Sequence, residues 1–201
     1  MPETVFSIAA SADDTNLFRT GVTYPPSTTD GGNQNANTFL DVRKSTGFET
    51  HIMFLKFNTS SLPDAATVTG ASLKLYADSK ASADARDVNF EWYTWTTPAH
   101  PTDWADVVGT TAAVVTVASI TTGAVNTIAL SSPGENVNKT GNTTLRFGLS
   151  GGQPTGSNEI FFIAFDHATL VEPQLVVYYA LPPDYSQFPK AKLRPPTRAR
   201  W

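Results

Sequence analysis

The sequence predicts an all-β protein, an antiparallel sandwich of two packed sheets, and three observations carry that prediction. Two runs alternate with period two: Ile52, Phe54 and Lys56 against Met53, Leu55 and Phe57, then Leu73 and Leu75 against Lys74 and Tyr76. Thr, Val and Ala are abundant while 13 Gly and 14 Pro are scattered along the whole chain, so turns recur at short intervals. No window carries the periodicity of a long amphipathic helix.

The elements follow in order. Strands are expected near 4–9 and 37–42, and the stretch 13–36 between them, rich in Asp, Thr, Asn, Pro and Gly, reads as a long loop. The 51–58 run is apolar on both faces and should be a buried central strand. Pro63 has no backbone donor, so 59–69 connects rather than continues a ladder. The 70–77 run, with one polar face, should be a strand with one wet side. Further strands are expected near 86–95, 112–118, 124–130, 143–150, 160–165 and 173–179. Between the seventh and eighth, Ser131 to Asn142 reads as a loop or a short helix capped by Ser132 and begun by Pro133. Gly148-Leu149-Ser150-Gly151-Gly152 reads as a strand ending in a turn, not a phosphate-binding loop.

The stretch HIMFLKFNTSSLPDAATVTGASLKLYA resembles the core of the DNRLRE-type domains, whose members share a pattern close to LLKFDLSSLP-gap-ATVTSAKLRLY. Thr38-Phe39-Leu40-Asp41-Val42, Val88-Asn89-Phe90-Glu91-Trp92-Tyr93, Pro101-Thr102-Asp103-Trp104, Phe161 to Asp166 and Glu172-Pro173-Gln174-Leu175-Val176-Val177-Tyr178 extend the likeness over residues 5–180. The resemblance implies a jelly-roll sandwich, a module that binds carbohydrate, and a structural Ca²⁺ of the kind such modules often carry. Oxygen-rich candidates are Asp13-Asp14, Asp84 with Asp87, and Asp103 with Asp106, although solvated turns account for them better and no metal ligand set is assigned.

The 201 residues divide into a sandwich over 1–180 and an arm over 181–201. Residues 1–180 carry nine Lys/Arg against 17 Asp/Glu, a balance of −8, whereas 181–201 carry five against one, a balance of +4. The arm also holds five prolines. Its aromatics Tyr185, Phe188 and Trp201 and its cations Lys190, Lys192, Arg194, Arg198 and Arg200 suit an extended, proline-stiffened segment that docks on an acidic protein surface. Cysteine is absent, so packing alone must hold the fold. Met1-Pro2-Glu3 leads straight into Thr4 without a basic and apolar leader, and no stretch approaches about 18 apolar residues; a soluble chain without a membrane partner is expected.

Catalytic signals are missing. His51, His100 and His167 are too dispersed for a local metal pair, and neither a nucleophile elbow nor a glycine-rich phosphate loop occurs. The dense aromatic segment FEWYTWTTPAHPTDW is the other candidate site. On a strand Phe90 and Trp92 share one face and Tyr93 and Trp95 the other, so one pair should be core and the outward one, with Trp104, a ligand- or protein-binding patch; Trp92, Tyr93, Trp95 and Trp104 are therefore the candidate ligand-binding residues.

The expected function is that of a non-enzymatic structural or binding protein: a bacteriophage virion accessory protein, decorating a capsid or associated with a tail, made in the host cytoplasm and anchored through its arm. Its partners would be neighbouring structural proteins of a larger assembly, a second copy of the chain or a cell-surface glycan, but not nucleic acid, since five charges without a groove-reading motif make no case for it. The alternative is an extracellular carbohydrate-binding module of a polysaccharide-targeting system.

Overall fold

The computed structural model describes residues 1–26, 39–44, 47–95, 99, 103 and 109–183, with the backbone alone described at 39–44. In chain order the strands are β1 (Glu3–Ser7), β2 (Asp14–Gly21), β3 (Phe39–Lys44), β4 (Phe48–Asn58), β5 (Thr67–Ser82), β6 (Asp87–Trp92), β7 (Thr110–Thr116), β8 (Ala124–Leu130), β9 (Asn142–Leu149), β10 (Asn158–Phe162) and β11 (Gln174–Ala180), and a single helical turn, α1 (Pro133–Asn136), follows β8.

All of these strands pair antiparallel and form one hydrogen-bonded path folded into two packed sheets. The first sheet runs β1-β11-β5-β8. Strand β5 is long enough to pair β11 along Thr67 to Lys74 and β10 along Ala77 to Ser82, with β8 on its other edge. The second sheet runs β2-β4-β9-β6-β7. Strand β3 pairs with both β10 and β4 and carries the ladder round the corner between the layers. The chain changes layer on passing from β1 to β2, β4 to β5, β5 to β6, β7 to β8, β8 to β9 and β9 to β10.

Alternation places the core. Met53, Leu55 and Phe57 of β4 meet Leu73, Leu75, Leu145, Phe147, Phe90, Leu175 and Val177 between the sheets, all buried. The other face of β4 is covered as well: Phe54 packs with Leu17, Trp95 and Ala99 in a second cluster. This is why the strand is apolar on both sides. Removing one such buried Leu or Phe side chain costs about 2–5 kcal/mol.

Turn chemistry matches the sequence where it was specific. Pro63 lies in a tight connection in which Leu62 N–H donates to Thr59 O and Ala66 N–H to Pro63 O. Strand β9 ends at Leu149, and Gly151 takes φ +98, where a side chain would also meet Arg86 Nη1. Gly70 sits directly opposite Tyr178, whose ring covers the space a Cβ would occupy.

Three expectations need correction. The stretch 13–36 is not loop throughout, because β2 pairs with β4 from Asp14↔Leu55 to Gly21↔Phe48. Its polar residues read as loop, yet Asp14 Oδ2 accepts Phe165 N–H at 2.7 Å and Asn16 Nδ2 lies 3.2 Å from His51 Nδ1, so each finds a distant partner. Strand β5 begins three residues earlier and ends five later than expected, reaching the polar Asp78-Ser79-Lys80 because it pairs with β10 there. Finally, α1 starts at Pro133 but Ser132 does not cap it through its side chain: Ser132 has φ 49, and its carbonyl accepts Asn136 Nδ2.

Candidate functional site

The aromatic segment at the end of β6 is where sequence and structure meet. Phe90 and Trp92 point into the sandwich, as period two requires, and Trp92 is only 5% exposed with Nε1 donating to Ser131 O at 2.8 Å. Tyr93 and Trp95 turn to the outer face of β4. There they form no open platform. Trp95 is 6% exposed, its ring lies 5.5 Å from that of Phe54, and Nε1 donates to Leu55 O. The expectation of an outward pair is corrected on these grounds: Trp95 is buried with Leu17, Phe54 and Ala99 in the cluster on the outer face of β4. Trp104 lies outside the described residues. So do Tyr185, Phe188, Lys190, Lys192, Arg194, Arg198, Arg200 and Trp201, and with them the arm beyond Pro183.

Cations flank this outer cluster. Lys56 Nζ lies 5.9 Å over the Trp95 ring and pairs with Asp13. The Arg146 guanidinium lies 4.1 Å over Tyr93, and Nε donates to Glu91 Oε2 at 2.6 Å. Burial pushes the Tyr93 phenol above its ordinary range. No sequence signal beyond opposite charges on two strands would have revealed this group.

Around Trp92 and Tyr93, Thr94, Asn136, Asn138, Asn142 and Thr144 line a recess of about 160 Å³. Tyr93 N–H donates to Thr144 O and fixes the junction of β6 with β9. The lining is uncharged: three amides, two hydroxyls and two aromatic rings. It suits a neutral ligand that gives and accepts hydrogen bonds. The amides come from SSPGENVNKTGN, read in the sequence only as a loop or helix, and the fold brings them to the aromatic segment.

The carboxylate pairs go separate ways. Asp84 accepts hydrogen bonds from Thr155 N–H and Oγ1, Asn158 Nδ2 and Arg86 Nη2. These hold its carboxyl well below the usual range. Arg86 Nη1 and Nη2 also donate to Ser150 O and Gly152 O, so the group staples the loop after β9 to the β5–β6 connection. Asp14, 2% exposed, is pushed up to about 6 by burial, with Asp166 and Asp13 adding to the rise against the Phe165 hydrogen bond. Among the described residues no three His, Cys, Asp or Glu side chains converge as a metal site.

His51, buried beside β2, stacks on Phe18 at 5.4 Å, with Nε2 2.6 Å from Glu49 Oε1 and Nδ1 facing Asn16. With Asn16 donating, Nε2 carries the proton toward Glu49, a wedged and oriented ring. Among the described residues no helix is long and apolar enough to cross a membrane. No family model matches the chain, and no curated protein matches it.

Proposed function

We propose that the protein is a non-enzymatic structural and binding protein, a virion accessory component of the decoration or tail-associated type, fastened to neighbouring structural proteins through residues 181–201. The reading takes the sandwich to be a relative of the DNRLRE-type modules used as a rigid body. One observation supports it: β11, the last strand among the described residues, lies between β1 and β5 and ends at Ala180, and Ala180 to Pro183 are exposed, as expected where an appended stretch departs. A non-catalytic role is supported by the engagement of the ionisable groups with protein partners, Asp84 with Arg86, Glu91 with Arg146 and His51 with Glu49. The test is whether the full chain co-purifies as a stoichiometric part of a particle. Turnover in a glycan-hydrolysis or esterase screen, abolished by changing one carboxylate, would overturn the non-enzymatic reading.

A second reading, carbohydrate binding, is favoured by the recess beside Tyr93. The side chains of Thr94, Asn142 and Thr144 lack a hydrogen-bond partner among the described residues, and an uncharged pocket of amides and hydroxyls beside aromatic rings matches a sugar's alternating polar and apolar faces. A glycan array read with the native chain and with Asn142→Ala tests it. Signal lost in the variant supports the reading, and silence from both removes it.

A further inference from the structure

From Val107 to Gly134 the chain contains no charged residue and no histidine, in a body that otherwise carries a balance of −8. Its described part, residues 109–134, supplies β7 and β8, the end strands of the two sheets. Strand β7 ends the second sheet and β8 ends the first, each paired on one edge alone among the described residues, to β6 and to β5. The two strands are held beside each other at one end by Ser131, whose N–H and Oγ both reach Ala112 O. At the other end Lys80 Nζ donates to the carbonyls of Val117 and Ala118 in their connection. The two strands are thus fixed in place before anything docks on them.

Sheet edges of this kind are normally guarded by Lys, Pro, a bulge or shortness. Strand β7 is bulged opposite Phe90 and Glu91, at Ala112. Strand β8 has no such device. It pairs with β5 in unbroken register over all seven residues, Ala-Val-Asn-Thr-Ile-Ala-Leu, none of them proline or charged. Its outward row, Val125, Thr127 and Ala129, is exposed, with Val125 at 42%, and Val114 of β7 stands at 58%.

We infer that β8 is the docking edge for a second copy of this chain, pairing antiparallel with its counterpart about a two-fold axis through Thr127. The sequence of the strand is complementary to itself in that register. Thr127 meets Thr127, a favourable cross-strand pair, while Val125 meets Ala129 and Ala124 meets Leu130, so that each larger side chain faces a smaller one. Charge is compatible with the same occupant: two acidic bodies repel over most of their surface, whereas β8 itself brings no like charge to the contact and Lys74, opposite Thr127 on β5, stands one strand back. Backbone hydrogen bonds across the new pair would join the first sheets of both copies into one. The inference is independent of the arm and of the recess.

The test uses the full chain and its lack of cysteine. Sedimentation up to about 0.1 mM should show a dimer, and Thr127→Lys, which sets two like charges on the axis, should return it to a monomer that is still folded by circular dichroism. Thr127→Cys should oxidise to a covalent dimer at least about tenfold faster than Val22→Cys, an exposed control away from the edge. A native monomer at that concentration, a dimer indifferent to Thr127→Lys, or equal cross-linking of the two cysteine variants would each overturn the inference.

Discussion

Glu91 and Arg146 stand opposite one another across the β6–β9 pair, and Arg146 Nε donates to Glu91 Oε2 at 2.6 Å while its guanidinium covers the Tyr93 ring. The same arginine donates through Nη1 to the Asp103 carbonyl, so one side chain holds two strands and the chain beyond β6 together. Arg146→Ala should cost about 3 kcal/mol, because it leaves the mostly buried Glu91 carboxylate without its cation. Arg146→Lys should recover only part, since an ammonium lacks the planar fork and stacks poorly on Tyr93. Urea denaturation of both variants checks the order. Equal stability for native and Ala forms would show the pair to be incidental.

Asp14 and Asp84 give the protein opposite pH dependences on either side of about pH 4. Folded Asp14 titrates at about 6 against an ordinary 3.8, so between those values the folded chain holds a proton that the unfolded chain has released, and stability falls as pH rises through that window. The full amplitude is about 3 kcal/mol. Asp14→Asn should abolish the slope between pH 4 and 6 and raise the melting temperature at pH 7; an unchanged slope would contradict the burial of an uncompensated carboxyl.

Asp84 works the other way. Its folded carboxyl titrates below the unfolded value, so its contribution is complete above about pH 4 and is lost as acid protonates it. Asp84→Asn should flatten the acid limb of the melting curve and loosen the loop from Ser150 to Ser157, seen as faster amide exchange there. Slow exchange in that variant would mean that Arg86 alone holds the loop.

Leu73 lies fully buried opposite Leu175 on one side and Ile128 on the other. Leu73→Ala should cost about 2–5 kcal/mol and lower the melting temperature by more than any substitution at exposed Val114. Thermal unfolding of the two variants side by side measures the difference.

What the sequence disclosed was what alternation discloses. Met53, Leu55 and Phe57, and Leu73 with Leu75, face the core as their period requires, and the double-sided run at β4 marks a strand covered on both faces. Strand β2 stayed hidden because Asp14 and Asn16 find their partners at Phe165 and His51, and a residue's own neighbourhood cannot announce so distant a contact. Trp95 misled for a related reason: its face followed from period two, but the cluster that buries it there includes Leu17 of β2, a contact distant in sequence. The recess depended on three asparagines from a segment whose place beside Tyr93 is decided by the pairing of β6 with β9.

The central claim, a self-sufficient sandwich carrying an appended anchoring arm, is tested most directly by removing residues 182–201 and measuring melting temperature and particle incorporation on the same preparation. The account predicts a melting temperature within about 2 °C of the full chain and incorporation abolished. A truncated chain that assembles as well as the full one, or that melts many degrees lower, would contradict it.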